Sequence, residues 1–145
     1  MFKNILVPVD GSPTSQQAVS RAVALAKAFD GAITAIYVID PYPFTGVGTD
    51  FSYGQAQYLE AAAAEAHEAI RAAREAVEAA GVKIDTRVVE AHTAWRGILE
   101  TAGALGSDIV VMGSHGRRGF EKLMLGSVAQ RVLAHAHVPV LVVRD

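Results

Sequence analysis

Two hydrophobic textures alternate along this chain. Short runs rich in β-branched residues, Ile5 to Val9, Ile33 to Ile39, Ile84 to Val89, Ile109 to Met112 and Val138 to Val143, have the length and composition of strands. Between them lie alanine-rich stretches with helical spacing. From Gln55 to Ala80, the positions Leu59, Ala63, Ala66, Ile70, Ala73 and Val77 step by four and three and form one apolar stripe. Glu60, Glu68, Arg71, Glu75 and Glu78 fall away from that stripe and read as a solvated face. Ser12-Pro13 places a capping hydroxyl before a proline at the first helical position, and Gly31 and Gly81 stand where helices stop. Thr93 is placed to cap a third helix, and Ser127 with Gln130 has the spacing of a capping box for a fourth. The expected order is β-α-β-α-β-α-β-α-β within a single domain over residues 1–145, an α/β parallel sheet with helices on both faces and right-handed crossovers. Pro41 to Gln55, rich in Pro, Gly and aromatic residues, reads as a long loop.

Strand composition places the strands in the sheet. Ile5 to Val9 and Ile109 to Met112 are apolar throughout, as central strands covered on both faces are. The third strand alternates Val82, Ile84, Thr86 and Val88 with Lys83, Asp85 and Arg87, which suits an edge. The last strand carries Pro139, another edge signature, yet is almost wholly apolar. An apolar edge is a hazard that proteins cover, so a homodimer built around residues 138–143 is expected.

Composition removes several classes of function. The chain has 145 residues, of which 51% are hydrophobic and 19% charged, with a formal net charge of −2 and no cysteine. That length buries about two-thirds of the surface an unfolded chain exposes. The mean hydropathy of +0.25 raises the question of a membrane span. A spanning helix needs about 20 mostly apolar residues, and no run here approaches that. Met1-Phe2-Lys3-Asn4, followed by five apolar residues and Asp10, does not read as a signal peptide. No disulfide framework, thiolate zinc site or cysteine nucleophile is available, and the charge balance offers nucleic acid no broad basic surface. A cytoplasmic protein is expected.

The chemistry concentrates in one stretch, Gly113-Ser-His-Gly116-Arg-Arg-Gly119-Phe-Glu-Lys-Leu-Met-Leu-Gly126-Ser127, between the fourth strand and the fourth helix. Its glycines let backbone amides approach a ligand, and Gly126 and Ser127 stand at a helix N-terminus that favours anions. Arg117, Arg118 and Lys122 add local positive charge. These are the parts of a phosphate cradle, and equally of a tight strand-to-helix turn. Asp10-Gly11-Ser12 ends the first strand and shares the crevice if the first and fourth strands are neighbours. There Ser12 reads as a cap, not a nucleophile, and Asp10 either braces the turn or meets the ligand. His115 lies inside the cradle, facing either phosphate or solvent. His135 and His137 suit a helix C-terminus better than a metal, and His67 and His92 show no partner pattern. No P-loop is present, Gly46-Val-Gly48 lacks the third glycine of a dinucleotide fingerprint, and no catalytic set can be placed by spacing.

These residues resemble the universal stress protein family along essentially the whole chain. Ile5-Leu-Val-Pro-Val-Asp-Gly-Ser12 is similar to the family's first strand and turn, and Asp108 to Gly119 to its fourth strand and loop. Leu125 to Leu133 and Val138 to Val143 are similar to its last helix and strand. Gly113, Gly116, Gly126 and Ser127 fit G-x2-G-x9-G-[ST], the pattern of the family's ATP-binding branch. The resemblance implies a five-stranded parallel, Rossmann-like sheet in the order 3-2-1-4-5. It further implies Pro8 and Asp10 beside the adenosine, the Val38 backbone on the adenine edge and Met112 packing near the nucleotide. Gly113, Gly116, Gly126, Ser127 and Val128 would hold ribose and phosphates, with a divalent cation such as Mg or Mn alongside. Ala91 to Arg96 lacks the glycine and acidic residue often found there in the family, so no site residue is carried over from it. The leading expectation is an ATP-binding stress-response module that acts through its nucleotide-dependent state, with AMP or cyclic AMP as further ligands. A slow ATPase using Asp10 or His115, and a nucleotide-free domain that binds an unidentified protein, are the alternatives.

Overall fold

The computed structural model describes residues 1–41, 49–116 and 125–144, with side chains except at 49–53. Two apolar strands, β1 (Asn4–Pro8) and β4 (Ile109–Gly113), lie side by side at the centre of a parallel sheet. Between them in sequence come α1 (Pro13–Phe29), β2 (Ala32–Ile39), α2 (Thr49–Ala79), β3 (Ile84–Glu90) and α3 (Ala94–Leu105), and after them α4 (Ser127–His135) and β5 (Val140–Val143). The strand order is β3-β2-β1-β4-β5, so the chain has the expected α/β fold with the order reversing between β1 and β4.

Period-two alternation of the strands divides the core into two layers. Ile5, Val7, Ile33, Ala35, Ile109 and Val111 face α1 and α2, meeting Ala18, Ala22, Ala26, Ala69, Ala73 and Val77. Leu6, Ile36, Val110 and Met112 face α3 and α4, meeting Ile98, Ala102, Ala129 and Val132. Central strands buried on both sides and helices that pack through alanine account for the high hydropathy. Each fully buried Leu or Ile contributes about 1.5–3 kcal/mol, which makes Leu6 and Ile36, both at 0% exposure, principal anchors of the second layer.

Several local expectations change. The stretch expected as a loop to Gln55 is helical from Thr49, which makes α2 31 residues long. Its stripe packs only from Ala66 onward: Ala63 is exposed and Ala69 takes a buried place instead. The charged face is solvated as expected, with Arg71 bonded to both Glu68 and Glu75. These contacts hold the Glu68 carboxyl below its ordinary value and raise the Arg71 guanidinium. On β3 the alternation fails at Val88, which is 51% exposed. Pro139 precedes β5 instead of lying within it, and its carbonyl accepts from Val110 N–H at 3.0 Å. At the end of α1, Asp30, not Gly31, takes the left-handed conformation; Gly31 is required because a Cβ there would lie 2.4 Å from the Phe2 carbonyl.

Candidate functional site

The sheet's two central strands both end in a cleft of about 450 Å³, within the range of small-molecule sites. It opens outside the carboxyl ends of the strands, where the strand order reverses, the usual ligand position in an open α/β sheet. Pro8 and Asp10 reach it from β1, Val38 from β2, Met112, Gly113 and Gly116 from β4 and its loop, and Gly126, Ser127 and Val128 from the start of α4. All nine residues singled out from the sequence therefore share one cleft. Arg117, Arg118, Gly119 and Lys122 lie outside the described residues.

The turn after β1 is built from its own hydrogen bonds. Asp10 Oδ1 accepts from Ser12 N–H at 2.9 Å, and Ser12 Oγ accepts from Ser15 N–H at 3.2 Å as the N-cap of α1. Ser12 is thus a buried cap. Asp10 does brace the turn, but with one oxygen only: its Oδ2 lies so close to Gly116 that a Cβ there would stand 2.9 Å away. The glycines on β4 and α4 serve close approach, and none of the three adopts a positive φ. A Cβ at Gly113 would meet Thr14 Cγ2 at 2.8 Å, and one at Gly126 would meet His115 Cα at 3.1 Å and the Ser114 carbonyl at 3.2 Å. Gly126 N–H donates to that carbonyl at 2.7 Å, which pins the start of α4 to the end of β4.

The two helix starts at this end differ. Ser12 closes α1, whereas the N-cap of α4 is Gly126 and makes no side-chain cap. The expected capping box is absent because Ser127 lies inside the helix and Gln130 Nε2 donates to the Leu125 carbonyl at 2.7 Å. The amides of Ser127, Val128 and Ala129, in the first turn, have no carbonyl within the helix to bond. No acidic side chain stands in that turn to offset the positive dipole end. Beneath it, Ser114 is 1% exposed and its Oγ has no hydrogen-bond partner among the described residues. Thr93 likewise makes no side-chain cap on α3.

On the opposite wall, the strand pattern aims a backbone donor and acceptor into the cleft. Ala32 N–H bonds the Lys3 carbonyl and Val9 N–H bonds the Ile36 carbonyl, so even-numbered residues of β2 point their backbone groups towards β1. Pairing between β1 and β2 ends at Pro8 and Ile36. The N–H and C=O of Val38, two residues on, are therefore directed past the end of β1. Val9, Ser15, Tyr37, Ala94, Ile98, His115 and Ala129 complete the lining. Of these only His115 had been marked in the sequence; its Nε2 lies 3.3 Å from Thr14 Oγ1. Ala94 and Ile98 had a legible signal in their i, i+4 spacing from the first turn of α3, whereas Tyr37 and Ser15 look like ordinary strand and helix residues.

Two of the remaining histidines take structural contacts. His92 Nδ1 is 3.3 Å from Asp40 Oδ1, a pairing across the ends of β3 and β2 that spacing did not suggest. His135 Nδ1 lies 2.9 Å from the Arg131 carbonyl, and its ring stacks on Trp95 at 4.3 Å. Among the described residues no three His, Asp or Glu side chains gather as metal ligands, and no helix is long and apolar enough to cross a membrane.

Comparison with known proteins agrees with this architecture. The universal stress protein family matches residues 1–144. A universal stress protein of Methanocaldococcus jannaschii is 40% identical over 144 residues, covering 99% of this chain and 83% of its own. Among solved structures, a universal stress protein from Lactobacillus plantarum superposes with a TM-score of 0.87 at 28% identity, over 99% of this chain and 98% of that one. A universal stress protein in complex with cAMP gives 0.70 at 25% identity, over 99% and 97%.

Proposed function

The chain belongs to the universal stress protein family, and from that premise we propose that it binds ATP in the cleft and acts as a nucleotide-dependent regulatory module. The carrying observation is the pairing of two unlike walls in one cleft. The uncapped first turn of α4, approached by Gly113, Gly116 and Gly126, suits phosphate. The Val38 backbone offers a donor and an acceptor to a base edge, over a floor that includes Met112. Pro8 and Asp10 would flank the ribose between them. The spacing G-x2-G-x9-G-[ST], similar to that of the family's ATP-binding branch, supports this reading, and the relative solved with cAMP makes AMP and cyclic AMP further candidate ligands. A Mg or Mn ion would arrive on the phosphates, since the described cleft residues offer it no carboxylate cluster.

Binding leads hydrolysis as the reading: Asp10 gives Oδ1 to Ser12 N–H, which leaves only Oδ2 to act as a base, and His115 Nε2 lies near Thr14 Oγ1. The regulatory effect of the nucleotide equals at most its differential affinity for the conformations of the chain. Calorimetric titration with ATP, AMP and cyclic AMP, paired with single-turnover hydrolysis with and without Mg, tests both parts. Saturable ATP binding with no turnover supports the reading, turnover favours the slow ATPase, and absence of binding favours a nucleotide-free interaction domain.

The same proposal includes a cytoplasmic single-domain chain that pairs through the β5 edge. Leu141 on that strand is 39% exposed and Leu133 on α4 is 43% exposed, an apolar border that a second copy would cover. Sedimentation at micromolar concentration as a monomer would refute this part.

A further inference from the structure

The base end of the cleft depends on a contact between two residues that carry no functional group. Gly97, in α3, faces Ala91 and Val38: a methyl group at Gly97 would lie 2.8 Å from Ala91 Cβ and 3.3 Å from Val38 Cγ1. The first distance is shorter than carbon atoms tolerate, so α3 reaches its position only because residue 97 has no side chain. Glycine within a helix costs stability relative to alanine, and at residue 97 the close approach to Ala91 supplies a packing reason for it. Gly103, in the same helix, has open space around it. Trp95 stacks on His135 and holds the start of α3 against α4.

Ala94 and Ile98, on either side of Gly97, line the cleft. Val38, whose side chain Gly97 faces, is also the residue whose N–H and C=O point past the end of β1. We infer that Gly97 is a positioning residue that, matched to Ala91, sets the distance between α3 and the Val38 backbone and so the width of the slot for a purine base. This deepens the nucleotide reading above and rests on it. A methyl group added at 97 pushes either α3 or the Val38 edge outward, and the slot then fits a purine less closely.

The test titrates ATP and CTP into the wild type, Gly97→Ala, the double variant Ala91→Gly/Gly97→Ala and Gly103→Ala, with thermal midpoints measured in parallel. Gly97→Ala is expected to weaken ATP binding about tenfold, the scale of mild overpacking, and to reduce the preference for ATP over CTP. The double variant removes the closest overlap and restores both affinity and preference. Gly103→Ala, a general change in helix propensity, alters neither. Wild-type affinity and preference in Gly97→Ala overturn the inference, as does a folded double variant that stays weak. If Gly97→Ala fails to fold, the double variant decides alone. A wild type that binds neither nucleotide refutes the nucleotide reading itself, which is a different result from binding that ignores residue 97.

Discussion

The two ends of the same parallel sheet treat their backbone groups in opposite ways. At the amino end, Asp108 accepts from Lys3 N–H at 2.8 Å and Asn4 N–H at 3.2 Å, and Lys3 Nζ donates to the Phe29 carbonyl at the end of α1. Phe2 packs edge-on against Phe29 to close that side. At the carboxyl end, α4 starts without a side-chain cap, Val38 points its backbone past β1, and Ser114 Oγ is buried without a partner among the described residues. Buried polar groups are normally satisfied. The amino end satisfies its groups internally, whereas at the carboxyl end the first turn of α4 and the Val38 backbone face a cleft, the contrast on which the proposed binding rests.

Substitutions at the two ends should therefore separate binding from stability. The largest effect is expected at the open end, from Gly126→Val. Its branched side chain would enter the 3.1 Å approach to His115 Cα, and ATP binding should fall at least about 100-fold, a loss of about 2.7 kcal/mol. Circular dichroism should show the fold retained, because residue 126 belongs to neither core layer. Retained affinity would count heavily against this cleft. At the closed end, Asp108→Ala removes two hydrogen bonds to exposed backbone donors and should cost about 1 kcal/mol of stability by denaturant titration. ATP affinity should not change, and a variant that loses binding while keeping stability would erase the distinction between the ends.

Ser12→Ala sharpens the comparison within the open end, since it removes the cap of α1 and not a ligand contact. It should cost about 1 kcal/mol of stability and leave ATP affinity intact; impaired binding in a fully stable variant would move Ser12 into the site. The smallest effect belongs to the solvated face of α2. Arg71 holds the Glu68 carboxyl below its ordinary value, so this pair contributes above the unfolded carboxylate range and its contribution is lost as pH falls through the folded one. Both side chains are exposed to solvent screening. Glu68→Gln should leave the thermal midpoint and ATP affinity unchanged within error at neutral pH, and any residual difference should vanish on acidification.

Much of this division was legible in the sequence. The uninterrupted apolar character of Ile5 to Val9 and Ile109 to Met112 marked the central strands, because only strands covered on both faces can be apolar on both. The glycine spacing from Gly113 to Ser127 marked one wall of the cleft, since backbone approach leaves its trace in residue type. The wall formed by β2 and α3 was harder to see. Ala94 and Ile98 carried only their i, i+4 spacing, Tyr37 has the composition of an ordinary strand residue, and the Gly97–Ala91 contact exists only once α3 lies against β2 and β3. Helix starts were legible where a side chain makes the bond, as at Ser12. They were misread where proximity in sequence imitated one, as at Ser127 and Gln130.

The central claim is that the open end of the sheet is an adenine-nucleotide site, and titration calorimetry with ATP on the wild type beside Gly126→Val tests it most directly. The account predicts saturable binding at one nucleotide per chain in the wild type, accompanied by thermal stabilisation of about 2.7 kcal/mol when ATP reaches 100 times its Kd, and neither effect in the variant. Absence of heat and of stabilisation in the wild type, or equal binding by both proteins, would contradict it.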